Sequence, residues 1–183
     1  EVAARVLEAR YVALGVLAPD GQTLEAFITT GITDDERAAI GPLPTGKGLL
    51  GAMLTEGRPL RLEDLAHDPR SVGFPPNHPP MKSFLGVPLR VRDEAFGNLY
   101  LTEKAGGADF DDEDANVVRA LATAAGVAIE NARLYESVRR RERWLQASSE
   151  VTTALLSGTD TEDVLQLVAA RSKELASADL AAI

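Results

Sequence analysis

From Asp111 to Ser157 the chain holds one helical pattern with no proline and a single glycine, Gly126. Helices in globular proteins average ~11–12 residues, so a run this long must extend beyond any one small core. The acidic turn Asp111-Asp112-Glu113-Asp114 suits the positive end of a helix dipole and marks the start of the helix. Alternating steps of four and three pick out Val127, Asn131, Leu134, Val138, Arg141, Leu145, Ser148, Thr152 and Leu155, a half-polar seam. That seam fits a marginal parallel coiled coil, and a solvated connector helix fits the same periodicity. After Gly158, residues 160–183 open a fresh amphipathic helix and the beginning of a strand. A chain without an initiator Met that stops inside a regular pattern is expected to be a piece of a longer protein.

The residues before the helix read as short strands. Residues 10–17 and 23–30 are β-rich and joined by Pro19-Asp20-Gly21, which predicts a hairpin. Thr33, followed by Asp34, Asp35 and Glu36, caps a short helix to about Ile40, and residues 48–56 carry a second that ends at Gly57. A brief strand, Leu60 to Leu62, follows. Residues 63–82 hold five of the ten prolines (Pro69, Pro75, Pro76, Pro79 and Pro80) and read as a long ordered loop, with or without a helical turn. Residues 84–91 and 96–103 flank Arg92-Asp93-Glu94-Ala95 and form another hairpin. The expected class is α+β, an antiparallel sheet with helices packed on one side.

Charge and composition remove several functions. A net charge of −9, with arginines scattered except near residues 139–143, leaves no electrostatic footprint for nucleic acid. No apolar run approaches the ~20 residues of a membrane span, and no basic-then-apolar leader is present, so a cytoplasmic location is expected. The chain has no cysteine, which excludes thiol catalysis, Cys-ligated zinc and thioether-linked cofactors. Any cofactor must be held noncovalently.

Two side chains invite a functional reading. His78 stands in Phe74-Pro75-Pro76-Asn77-His78-Pro79-Pro80-Met81, where the following proline favours an extended backbone and its neighbours stiffen the arm. A stiff arm suits a metal ligand, and Phe74, Met81 and Phe84 add the apolar surface that a porphyrin face needs. A surface or packing histidine is the other reading of the same residues. Tyr100 shares a strand face with Asn98 and Thr102, while Leu99 and Leu101 share the opposite face. If the leucines pack on helices, Tyr100 faces the ligand side. A half-buried tyrosine with a water partner fits the pattern too.

The stretch FLGVPLRVRDEAFGNLYLTEK, continued by FDDEDANVVRALATAAGVAIENARLY, resembles the C-terminal half of a GAF domain. More narrowly, SVGFPPNHPPM, LGVPLRVRDEAFGNLYLTEK and LLSGTD resemble the haem-binding GAF domain and exit helix of the DosS (DevS)/DosT-like hypoxia sensor histidine kinases. This resemblance implies a GAF fold at residues 1–135, a connector or coiled-coil helix at 136–158, and the start of a second GAF domain at 159–183. It implies a noncovalent b-type haem with His78 as proximal ligand, an open sixth position for a diatomic gas, and Tyr100 donating to bound dioxygen. Phe27 matches a pocket phenylalanine, although a plain core phenylalanine would look the same. Gly15 matches a position at which the family has Glu or Gly, and its missing side chain implies an open path to the haem edge. Pro42 departs from a family histidine, so that part of the pocket is not carried over. The implied partners are a second copy of the chain through the long helix and a response regulator served by the parent kinase, whose autophosphorylation the haem's gas or redox state would regulate. The fragment itself is expected to catalyse nothing.

Two other motifs fail. Gly41-Pro42-Leu43-Pro44-Thr45-Gly46-Lys47-Gly48 puts Gly48 where a phosphate-binding loop needs a magnesium-binding hydroxyl, and a helix precedes it where a strand is required. Against the cyclic-nucleotide pattern of GAF domains, Glu103-Lys104 replaces Asn-Lys and Ala115 follows Asp114. The acidic residues 109–114 are better explained by helix capping, and His67 reads as an exposed turn residue. A GAF domain that binds a nucleotide or other organic metabolite, and a ligand-free dimerisation module, are the alternative functions.

Overall fold

The structure is a computed structural model that describes residues 2–44 and 46–176. It divides into two compact units between Glu130 and Asn131. The first opens with α1 (Val2–Val6), β1 (Ala9–Leu17) and β2 (Leu24–Thr30), followed by α2 (Asp34–Ile40), α3 (Gly48–Glu56) and β3 (Leu60–Leu62). A 3₁₀ turn at Leu65–His67 lies in the long loop, and β4 (Phe84–Val91), β5 (Glu94–Lys104) and the start of α4 (Asp112–Leu156) complete the unit. The five strands form one sheet in the order β2-β1-β5-β4-β3, and the registered pairs are all antiparallel.

The local chemistry behind these elements is specific. Asp20 accepts from the amides of Gln22 and Thr23 and closes the first hairpin. Thr33 and Glu36 form a reciprocal capping box on α2, which satisfies two amides that the first helical turn leaves orphaned. Gly57 ends α3 in the left-handed conformation. The second hairpin turns on Arg92 and Asp93 alone, because Val91 already pairs with Glu94. The expected four-residue connection is thus shorter, and β5 starts two residues early.

Strand alternation sorts the core into two layers. Leu85, Val87 and Leu89 of β4 join Leu99 and Leu101 of β5 against Ala115, Val118 and Ala122 of α4. Gly126 lets α4 approach closely, since a Cβ there would stand 3.2 Å from Val91. On the opposite face Tyr11, Phe84 and Tyr100 pack with Leu49 and Met53 of α3, and with Leu65 and Met81 of the long loop. Helices therefore pack on both faces of the sheet, α4 on one and α3 on the other. α3 is largely apolar and buries Leu49 and Met53, and the sheet's second face offers Gly86 beside Phe84 to receive Met53.

Lys104 pairs with Asp114, and Asp111 and Asp114 exchange backbone amide and carboxylate hydrogen bonds at 2.9 Å. The acidic cluster thus caps α4. The second unit contains the remainder of α4 and α5 (Thr161–Ala176), with Ala147 and Val164 buried and Arg171 bridging Glu150 and Glu174. Along its part of α4, Leu134, Val138 and Leu145 are all at least half exposed. The strand expected within residues 177–183 lies outside the described residues. Among those described, no helix is long and apolar enough to cross a membrane.

Candidate functional site

The face of the sheet away from α4 is hollow. Tyr100 on the central strand is flanked across the sheet by Ala13 on β1 and Gly86 on β4. These small cross-strand neighbours leave room beside the phenol, with Tyr11 of β1 lining the same hollow. α2, residues 41–44, Lys47, α3 and the long loop roof this hollow into a cavity of about 370 Å³, within the ~300–1,000 Å³ usual for small-molecule sites. Its walls are largely apolar.

Of the seven residues singled out in the sequence, six line this one cavity: His78, Tyr100, Phe27, Phe74, Met81 and Phe84. Gly15 does not. A Cβ at Gly15 would meet Asn98 Oδ1 at 2.9 Å and Leu24 Cδ2 at 3.2 Å, so its side-chain direction is filled rather than left as an open path. Pro42 is among the lining residues, and His67 is an exposed residue of the 3₁₀ turn, 3.2 Å from Asp64.

His78 is held as a presented ligand would be. Its Nδ1 lies 2.8 Å from the carbonyl oxygen of Pro79. A carbonyl only accepts, so the neutral ring carries its proton on Nδ1 and keeps the Nε2 lone pair for another partner. Phe74 stacks on the imidazole with ring centres 4.7 Å apart and planes 19° from parallel. The arm is anchored on both sides. Asn77, at a φ of 63°, donates from Nδ2 to the carbonyl of Ala39 at 3.0 Å, which ties the arm to α2. Arg70 grips Asp68 through two hydrogen bonds of 2.8 and 2.9 Å and reaches Glu56 at the end of α3 at 2.9 Å. That guanidinium holds the Asp68 carboxyl down at about 2. Among the described residues no cluster of three His, Asp or Glu could hold a bare ion. A lone imidazole suits a metal whose other bonds are already made.

Tyr100 packs 5.8 Å from Phe84 and 6.5 Å from Phe27, centre to centre. Burial raises its phenol well above the ordinary range, so it is a neutral donor at any physiological pH. Its hydroxyl meets no hydrogen-bond partner among the described residues, and it faces the cavity. Thr102, two residues on, also lines the cavity and donates to Met81 Sδ at 3.1 Å.

Among the lining residues that the sequence reading missed are two cations, Arg37 and Lys47. Arg37 donates from Nη1 to the Phe27 carbonyl at 3.0 Å, and its guanidinium sits 5.3 Å over the Phe27 ring. Arg37 stands three residues before Ile40 and so shares its helix face, but nothing local marks that face as one that meets a cavity. Lys47 belongs to the failed phosphate-loop motif and was set aside with it.

A family model described as GAF domain matches residues 1–130. Among solved structures, the GAF domain of a phosphoenolpyruvate-protein phosphotransferase from Coxiella burnetii aligns with a TM-score of 0.61 at 23% identity, over 73% of this chain and 79% of that one. A free methionine-R-sulfoxide reductase from Neisseria meningitidis aligns at 0.58 and 20% identity, over 73% and 75%. The second GAF domain of DevS from Mycobacterium smegmatis aligns at 0.56 and 20% identity, over 75% and 91%. At these identities the likeness is one of fold.

Proposed function

The chain belongs to the GAF-domain family, and from that premise we propose that its first unit is a haem-based gas or redox sensor. The observation that carries the reading is His78: a single imidazole at an apolar cavity, its Nδ1 committed to the Pro79 carbonyl and its Nε2 left as a ligand nitrogen. Second-sphere carbonyls of this kind commonly orient a metal-ligating histidine. The cavity suits a porphyrin in its other features as well, with Met81 and Phe84 as apolar wall, Phe74 bracing the imidazole and Arg37 and Lys47 available to acidic edges.

When bound, the haem would supply an iron whose remaining coordination position can take a diatomic gas, and whose charge changes with oxidation. The chain's own residues do the rest. His78, on the proline arm, would hold the metal. Tyr100, neutral and with no hydrogen-bond partner for its hydroxyl among the described residues, offers its O–H to a polar group in the cavity. The walls around them are largely apolar.

The route outward follows strand alternation. On β4 and β5, Phe84 and Tyr100 border the cavity, while Leu85 and Leu101, adjacent in sequence, pack on the α4 side. A shift of the sheet at the cavity therefore bears on α4, which continues into the second unit. In the parent protein that helix would pair two copies through residues such as Leu134, Val138 and Leu145. It would pass the haem state to a histidine kinase and its response regulator. Switching of this kind needs two arrangements of similar free energy, and a half-polar seam supplies marginal pairing.

The test is the visible spectrum of protein expressed with ample haem, beside the His78→Ala variant. The wild type is expected to show a Soret band that the variant loses or that shifts with loss of its axial ligand. Colourless wild-type protein refutes the reading. Arg37 and Lys47 favour a second reading, a nucleotide or other organic metabolite in the same cavity; it predicts no Soret band and thermal stabilisation by that compound.

A further inference from the structure

We propose that Arg37 and Lys47 form an anion-binding edge of the cavity, so that its natural ligand is an apolar body bearing at least one carboxylate or phosphate. This rests on the reading of the cavity as the ligand site. Under the haem reading the anionic groups are the two propionates.

Three observations carry it. First, the residues lining the cavity include Arg37 and Lys47, and among the described lining residues there is no Asp or Glu. In a chain with 28 acidic and 19 basic side chains, an apolar cavity with cations and no acid is a local reversal of sign. Second, neither cation has an ion-pair partner among the described residues, whereas Arg70, Lys104 and Arg171 are all paired with carboxylates. Third, Arg37 is already placed. Its bond to the Phe27 carbonyl and its seat over the Phe27 ring fix the guanidinium beside the cavity while using one of its five N–H donors. It is close enough to Tyr100 to act on the phenol electrostatically. The remaining donors have no acceptor in the described protein.

A charge fixed by a neutral carbonyl and a ring face, rather than by an acid, is not neutralised by what positions it. It remains available to a ligand. Against a net charge of −9, an anionic ligand would otherwise be repelled, so this edge also selects how an amphiphilic ligand is oriented: apolar body inward over Phe84 and Met81, acid toward Arg37 and Lys47.

The experiment compares an apolar sulfonate, 8-anilinonaphthalene-1-sulfonate, with a neutral apolar dye, Nile red, binding to wild type, Arg37→Gln/Lys47→Gln, Arg37→Lys and Lys47→Gln. The double variant should bind the sulfonate about tenfold more weakly and Nile red about equally well, with Arg37→Lys recovering much of the loss. Lys47 is exposed, so Lys47→Gln reports without disturbing the fold, and about a threefold loss for the sulfonate alone is expected. Equal sulfonate affinity in wild type and Lys47→Gln together with the double variant overturns the proposal, as does a wild type that takes Nile red but not the sulfonate. Neither probe requires iron or His78. Protein that stays colourless with haem yet shows the sulfonate difference refutes the haem reading alone, and protein that binds haem without that difference refutes the anion edge alone.

Discussion

Replacing Tyr100 with Phe removes one oxygen atom and leaves the ring packing against Phe84 and Phe27 in place. A tyrosine that serves structure donates its hydroxyl to a neighbour, and losing that bond costs about 0.5–1.5 kcal/mol. Tyr100 has no such neighbour among the described residues, and burial has already pushed its phenol far from the ordinary range. Its hydroxyl has therefore been moved from bulk water toward an apolar wall without a protein bond in return. A fully unsatisfied group of this kind costs about 1–3 kcal/mol. The cavity of about 370 Å³ can hold water beside it, so the realised cost lies near the bottom of that range. Tyr100→Phe should accordingly leave the ligand-free protein as stable as before, or more stable by up to about 1 kcal/mol. Urea unfolding at neutral pH measures this as an unchanged or raised midpoint with the same m-value. A fall in stability of more than about 0.5 kcal/mol would refute the reasoning, since it would reveal a structural bond that the phenol makes. With haem bound, the same substitution should speed dioxygen dissociation by about five- to tenfold, the loss of one donated hydrogen bond.

The remaining expectations concern the scaffold. Gly97 has a φ of 146°, and a Cβ there would stand 1.9 Å from the Gly15 carbonyl on β1. Gly97→Ala should force β1 and β5 apart and cost more than about 3 kcal/mol, read as a large drop in melting temperature; a near-neutral variant would refute the register. Asp68, held at about 2 by Arg70, is depressed in the folded state, so its contribution is complete above pH ~4 and lost as pH falls through about 2. Hydrogen exchange in residues 63–83 should rise across that window in wild type and stay flat in Asp68→Asn, and identical profiles would count against the latch. In a parent kinase, Val138→Asp should uncouple ligand state from output, and unchanged regulation would remove α4 from the signalling route.

Much of this architecture is local and therefore legible. Period-2 alternation predicted that Leu99 and Leu101 face one way and Tyr100 the other, and the two core layers separate along that line. Thr33, Glu36 and Gly57 announce their helix ends because caps are short-range chemistry. The position of α3 was not legible. Its nine residues carry no mark of which sheet face they will cover, and only the juxtaposition of Met53 with Gly86 decides it.

By itself the sequence determined the strands, the caps, the long helix and the presence of a stiffened histidine arm, since each depends on residues within a few positions of one another. It did not determine that Arg37 and Lys47 would share a cavity with His78, or that Gly15 would be filled by Asn98 and Leu24. Those facts depend on residues far apart in the chain whose charges meet only after the sheet has closed. A lone cation on a short helix looks the same beside water as beside a cavity, and which of the two it meets is decided by packing alone.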